Sequence, residues 1–439
     1  MYKRESGHKK IVTFVGTSLL DKLLKFHAND ENLRSDVEKL REEDMKLKKV
    51  PAQNLRDKYS IEVNRIEKAL EKFIEEVLKG GKALKLSEIC AELKSIERII
   101  TELQNRGVES FDIILLQSDT LLGEIVGNYV ENLVIQRDLK VVSDIRRETV
   151  RRFRVSNWVD FKEGVREVFK ILAGYASAYE ENGEVYEGYW ENLVINITSG
   201  YKAAISYLTI LGQVFNCEIY YIFEDSDVLL KIPPLPLKVD YDVFREYLKL
   251  FVDMDKKGIL SLKDYNEDIS SVSNLLEYSA DEDDLDDDEY FKLNLFGEIL
   301  WERFKSNYPY VYLSEIAWKE YQDLEKTQRG NVIESVRRII NNCLNNGPTE
   351  TCNHQIDSGD KKLPEGFRVF KNVSNNIRIL YKVEQPDKKP ILYVGLFDVK
   401  AHNSGNEYVE YFHENAEKVN DTTKYKLCLI NGGELECIE

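Results

Sequence analysis

Between residues 1 and 240, a short aliphatic run three times ends in a polar turn and continues into an apolar-striped helix. No other feature narrows the fold as much. Ile11-Val12-Thr13-Phe14-Val15 leads through Gly16-Thr17-Ser18 to Leu19, Leu20, Leu23 and Leu24. Phe111-Asp112-Ile113-Ile114-Leu115-Leu116 leads through Gln117-Ser118-Asp119-Thr120 to a helix from Leu121. Glu191 to Ile197 leads through Thr198-Ser199-Gly200-Tyr201-Lys202 to the apolar stretch Ala203 to Phe215, and Glu218 to Glu224 reads as a further strand. Repeated strand–turn–helix units predict a parallel, doubly wound α/β sheet. Such sheets bind ligands beyond the carboxyl ends of their strands, so the three turns are the candidate site.

Each turn offers hydroxyls and main-chain amides at a helix N-terminus, where anions are favoured. Gly16, Thr17, Ser18, Gln117, Ser118, Thr120, Thr198, Ser199, Gly200 and Tyr201 are the candidate ligand residues, and Lys202 adds a positive charge. One such turn is what a helix N-cap looks like. Three together, with a lysine, fit a phosphate-bearing ligand. There is no Gly-rich dinucleotide fingerprint and no Walker loop, so NAD and ATP are not expected.

The rest of the chain divides by pattern. Residues 32–105 are charged and helical in period, with Ile61, Val63, Ile66, Leu70, Phe73, Ile74 and Val77 as a stripe that resumes after Gly80-Gly81 at Ile89, Leu93, Ile96 and Ile99. This reads as a helical hairpin inserted into the first domain, residues 1–240. Pro233, Pro234 and Pro236 mark its end. Residues 241–305 read as a helical linker with an acidic loop, since eight of the nine residues from Asp281 to Glu289 are acidic. Residues 306–439 read β-α-α-β-β-β-α, an α+β domain with a mostly antiparallel sheet, its last helix spanning about 406–418.

The net charge of −17 argues against coating long nucleic acid, and no DNA partner is expected. Charge is uneven, however: Lys361 to His402 holds nine Lys and Arg against four Asp and Glu. Within it Arg378, Leu380 and Lys382 share one strand face, Lys400 and His402 follow the next strand, and Tyr408 opens the last helix. Cations that hold a scissile phosphate and groups that move protons suffice to cleave RNA without a metal, so this is the candidate cleft. Neither Asp253 to Asp264 nor Cys343, Cys352 and His354 has the ligand pattern for calcium or zinc, and no metal or cofactor is expected. Six scattered cysteines predict a reducing compartment, and the absence of a long apolar run or a signal-like start predicts a cytoplasmic protein with no membrane partner.

Two resemblances follow from these motifs. Val15 to Leu20, Leu116 to Thr120, Asn196 to Ala203, and Tyr221-Ile222-Phe223-Glu224 with Ile232-Pro233-Pro234 resemble CARF domains, the Rossmann-like domains of CRISPR-associated proteins. That resemblance implies a homodimer binding a cyclic oligoadenylate across its two-fold axis, with cyclic tetra-adenylate favoured as the allosteric activator. Phe367-Arg368-Val369, Arg378 to Val383, Leu392-Tyr393-Val394 and Glu407-Tyr408-Val409 resemble the RelE family of mRNA interferases. It implies catalytic roles for Arg368, Arg378 and Tyr408, with Lys382, Lys400 and His402 behind them. The combination implies a metal-independent, ribosome-dependent mRNA endoribonuclease of type III CRISPR antiviral defence, a toxin that inhibits translation. Its partners are then the ribosome and mRNA; because a chain at −17 is repelled by ribosomal RNA, a protein-mediated recruiting contact is expected, either with a basic ribosomal protein or with the ribosomal stalk proteins. A nucleotide-sensing transcription regulator and a ring nuclease that degrades cyclic oligoadenylate stay open as alternatives.

Overall fold

The structure is a computed structural model. It describes residues 7–46, 52–79, 89–136, 140–153, 158–176, 179–181, 184–186, 190–200, 202–223, 228–236, 239–263, 265, 268–280, 289–341, 363–372, 377–384, 390–399 and 407–438. The chain forms two compact units, residues 1–177 with 187–238, and residues 178–186 with 239–439.

The first unit opens with β1 (His8–Phe14) and α1 (Ser18–Phe26). Four helices follow where a hairpin was expected: α2 (Glu31–Met45), α3 (Ala52–Lys58), α4 (Ser60–Lys79) and α5 (Ala91–Asn105). Then come β2 (Ser110–Ser118), α6 (Leu121–Gln136), β3 (Val142–Val150) and α7 (Trp158–Ala176). The short hairpin β4 (Tyr179–Glu181) and β5 (Glu184–Tyr186) groups with the second unit. The first unit resumes with β6 (Leu193–Asn196), α8 (Ile205–Phe215), β7 (Glu218–Ile222) and β8 (Leu229–Ile232).

The sheet order is β3-β2-β1-β6-β7-β8, parallel throughout except for β8 at the edge. Ile11, Val12, Ile113, Ile114, Val194 and Ile195 are fully buried, as continuous aliphatic runs must be in a sheet covered on both faces. From β1 the chain builds outward through β2 and β3, then returns to the other side of β1 at β6. The turns after β1 and β6 therefore face each other at the topological switch point. The α4 stripe is buried from Val63 to Val77 as its period requires, but Ile61 is 71% exposed, because α4 begins at Ser60 with that side chain off the stripe.

The second unit corrects the linker. Residues 241–305 form α9 (Asp242–Glu246), α10 (Leu248–Lys257), β9 (Leu260–Ser261), β10 (Leu276–Ala280), β11 (Glu289–Leu293) and α11 (Leu295–Asn307), with a three-stranded antiparallel sheet ordered β10-β11-β9. Phe244, Phe251, Trp301 and Phe304 stack into a core that also takes in Leu429, so the segment packs into its unit and is not a free-standing connector. The remainder is β12 (Tyr310–Leu313), α12 (Glu315–Asp323), α13 (Lys326–Arg338), β13 (Phe367–Asn372), β14 (Ile377–Glu384), β15 (Ile391–Asp398), α14 (Glu407–Asn415), β16 (Lys426–Asn431) and β17 (Glu434–Cys437). Their sheet runs β13-β14-β15-β12-β16-β17, with β12 and β15 the parallel pair.

The last two strands are short: Leu427-Cys428-Leu429-Ile430 is a four-residue apolar run, Leu435 stands alone between glutamates, and the Gly432-Gly433 turn pairs the two. Their register sets Cys428 opposite Cys437, which are joined by a disulfide. Sequence spacing offered no such framework.

Candidate functional site

The turn after β1 and the turn after β6 interlock. A Cβ on Gly16 would lie 2.8 Å from the Gly200 nitrogen, and one on Gly200 would lie 2.5 Å from Cβ of Phe14. Gly200 also has φ +96°, which only glycine adopts without strain. The Ser199 hydroxyl donates to the Phe14 carbonyl at 2.5 Å, fixing the second turn to the end of β1. Below it the Asn196 amide donates to Thr13 Oγ1 at 3.1 Å and Ser95 Oγ at 2.6 Å, and its oxygen accepts from the Thr198 amide at 3.1 Å. The Thr198 hydroxyl in turn accepts from the Ile222 amide at 3.0 Å, tying in β7.

The polar groups of the turns after β1 and β2 face inward, and two carboxylates of the helical insertion meet the β1 turn and the start of α6. Glu92 of α5, fully buried, accepts from the Gly16 amide at 2.8 Å and from the Ser18 hydroxyl at 2.5 Å. Asp44 of α2 accepts from the Leu121 and Leu122 amides, each at 3.0 Å, and so fills the anion position at the α6 N-terminus. The Ser118 and Thr120 hydroxyls bond each other at 2.7 Å, the Thr120 hydroxyl caps the Gly123 amide at 3.0 Å, and Gln117 donates to Thr149 Oγ1 at 3.1 Å. Gln117, Ser118 and Thr120 are all under 9% exposed.

Of the candidate ligand residues, then, Gly16, Ser18, Gln117, Ser118 and Thr120 build the site rather than face a ligand. Thr198 and Ser199 brace it through their hydroxyls. Thr17 is exposed and its hydroxyl makes no capping bond, Gly200 is half-buried, and Lys202 is exposed on the helical turn Lys202–Ala204 that leads into α8. Tyr201 lies outside the described residues. The open part of the site is therefore one turn with one lysine, beside Thr17. Asp44 and Glu92 escaped sequence reading because an acidic residue in a charged helix looks the same whether it faces solvent or a neighbouring helix end.

Residues 87–235 match a family model, that of CRISPR-associated protein Cas_APE2256. The match runs from the approach to α5 through β8, and so includes the Asn196–Lys202 turn. It makes the first unit similar to Cas_APE2256 from residue 87 almost to its end, takes in the short segment 178–186, and stops before residue 239, where the rest of the second unit begins. No curated protein matches the chain.

In the second unit the β13–β14 register sorts the candidate catalytic residues by face. Lys371 stands opposite Arg378, Phe367 opposite Lys382, and Arg368 opposite Tyr381. Directly opposed residues share a face. Arg378, Lys371 and Lys382 thus lie on the face that α14 covers with Phe412, along with Phe367, Val369 and Leu380. Arg368 lies on the other face with Tyr381, Ile379 and Phe370. It does not join Arg378, because strand side chains alternate and residue 368 has the wrong parity. Burial pushes the Tyr381 phenol above its ordinary pKa, and the Arg368 charge beside it draws it part-way back.

The Arg378 guanidinium lies over the Tyr408 ring, 5.1 Å from its centre. Its Nε–H is buried and donates to no partner among the described residues, whereas Lys371 and Asp398 sit across from it on the two flanking strands. Lys382 belongs to a different group. Its ammonium pairs with Glu384 at 2.9 Å, and beyond it Lys256 of α10 donates to the Tyr312 hydroxyl at 2.8 Å, with the Tyr312 and Tyr393 rings stacked at 5.0 Å. Burial lowers the Lys256 pKa and raises that of Tyr393 to about 12. Lys400 and His402 lie outside the described residues. Among the described residues no cluster of His, Cys, Asp or Glu suits a metal ion, and no helix is long and apolar enough to cross a membrane.

Proposed function

We propose that the chain is a cyclic oligoadenylate-gated endoribonuclease of CRISPR defence: the first unit senses the activator, and the second cuts mRNA held on the ribosome. The observation that carries the effector half is the Arg378–Tyr408–Lys371 group. A half-buried guanidinium with an unsatisfied N–H, braced by an aromatic face and flanked by a second cation, is suited to an oxyanion. A phosphodiester entering there meets Arg378 directly. When the ribose 2′-hydroxyl attacks the phosphorus and the 5′-oxygen leaves, the charge that builds on the non-bridging oxygens falls between Arg378 and Lys371. Tyr408 positions Arg378 rather than exchanging protons with the substrate.

The sensor half is supported by the switch-point turn and by the match to a CRISPR-associated family over the residues that form it. Lys202 and the main chain at Gly200 suit a phosphate, and two copies of this chain related by a two-fold axis would offer a cyclic tetra-adenylate two such turns. Binding must favour the cutting-competent arrangement for the ligand to activate it.

The test pairs two variants on translating ribosomes with each cyclic oligoadenylate, mapping mRNA ends and titrating the activator. Arg378→Ala is expected to lose cleavage by about 100-fold or more, as for removal of an oxyanion donor, with activator affinity unchanged. Lys202→Ala is expected to weaken activator binding by roughly 1.5–3 kcal/mol. Full cleavage by Arg378→Ala, or equal affinity for Lys202→Ala, removes that half of the reading.

A further inference from the structure

A further turn at the carboxyl edge of the parallel sheet, after β3, carries an arginine in an unusual conformation. Arg152 has φ +59°, the left-handed region, which costs an ordinary side chain of this kind energy and persists only where neighbours hold it. What holds it is visible. Its amide donates to the Asp119 carboxylate at 3.0 Å, at the end of β2, and its guanidinium pairs with Asp160 in the first turn of α7 at 2.7–2.8 Å. The next residue, Phe153, is buried, and its backbone is gripped so closely by α7 that a Cβ on Gly164 would lie 2.6 Å from the Phe153 Cα. The Phe153 ring packs on Phe14, 5.7 Å between centres, and Phe14 is the side chain on which Gly200 rests.

One chain of contacts therefore runs from Arg152 through Phe153 and Phe14 to Ser199 and Gly200 of the turn after β6. The geometry points to Arg152 as a second phosphate-binding cation of that site, held ready on Asp160. The inference rests on the activator reading above and deepens it by naming a residue outside the expected turns. Asp160 is then the competitor: a phosphate that reaches Arg152 displaces the Asp160 carboxylate, so that carboxylate sets how charged a ligand must be to engage. A neutral nucleoside has nothing to exchange for the ion pair. A phosphodiester ring does, and Arg152 can take two of its oxygens through the planar guanidinium.

Isothermal titration of the full chain with cyclic tetra-adenylate tests this, with wild type, Lys202→Ala, Arg152→Asn and Asp160→Asn side by side. Asparagine tolerates the left-handed backbone, so Arg152→Asn keeps the turn and its amide bond to Asp119 while removing the charge. Arg152→Asn is expected to bind about ten-fold or more weakly, in line with loss of a charge-assisted contact. Asp160→Asn is expected to bind several-fold more tightly, since the guanidinium no longer has to leave a carboxylate. A merely structural arginine would give weaker binding in both variants, because both break the same ion pair. Wild-type affinity in Arg152→Asn, or weakened binding in Asp160→Asn, overturns the assignment while Lys202→Ala still reports on the site. If wild type binds no cyclic oligoadenylate of any ring size, the activator reading itself falls and this inference with it.

Discussion

Asp44 offers the sharpest test of how the helical insertion relates to the sheet. Its carboxylate accepts two amides, Leu121 and Leu122, each at 3.0 Å, at the start of a 16-residue helix, and the group is only 9% exposed. In Asp44→Ala both amides lose their acceptor in a place water reaches poorly. Each orphaned buried donor costs about 1–3 kcal/mol, and the lost negative charge at the helix start roughly another 0.5–1 kcal/mol. These contributions overlap, so a net destabilisation of about 2–4 kcal/mol is expected for the first unit. Asp44→Asn keeps one acceptor and is expected to cost about half as much. Urea unfolding followed by circular dichroism measures the total, and hydrogen exchange of the first turn of α6 localises it. The carboxylate stands where a phosphate would bind if that turn were a ligand site, so sulfate should raise the stability of Asp44→Ala more than that of wild type. A loss below about 0.5 kcal/mol, or equal response to sulfate, would mean that Asp44 does not occupy an anion position.

Two further outcomes follow from the ion pairs and the strand register. Glu218 is buried against ionisation, but bonds from Arg106, Tyr220 and Lys231 outweigh that and hold its pKa at about 2, below its ordinary 4.5. A depressed carboxylate stabilises the fold fully above pH 4.5 and loses that contribution as pH falls through 2, so Glu218→Gln should flatten the acid limb of the stability curve, by roughly 3 kcal/mol at most, and an unchanged limb in equilibrium unfolding would refute it. Arg368→Ala should retain most mRNA cleavage while Arg378→Ala loses it, and Lys382→Ala should fall between; equal loss in single-turnover assays of Arg368→Ala and Arg378→Ala would contradict the division by sheet face.

Much of the first unit was legible because its signals are local. The aliphatic runs of β1, β2 and β6 are hydrophobic at nearly every position, which is what a sheet covered on both faces demands of each strand separately. The α4 stripe could be read for the same reason, since helical period is a property of ten or so consecutive residues. In the second unit, β13, β14, β15 and α14 follow from equally local patterns, as does the grouping of Arg378 with Lys382 on one strand face.

Pairing across the chain was not legible. The choice of Lys371 rather than Arg368 as the neighbour of Arg378 depends on the β13–β14 register, which no stretch of a single strand contains. Residues 241–305 looked helical throughout because β9, β10 and β11 are too short to show a period, and they exist as strands only through their partners.

The sequence by itself determined that this chain carries a parallel α/β sheet with hydroxyl-rich turns at its strand ends and a basic antiparallel sheet near its C-terminus, because composition and period act over neighbouring residues. Only the tertiary structure decided which turn stays open. Asp44 and Glu92 reach Leu121, Leu122, Gly16 and Ser18 from 74 to 78 residues away in the chain. A buried amide must find an acceptor wherever the fold supplies one, and which carboxylate supplies it is fixed by packing, not by sequence neighbourhood.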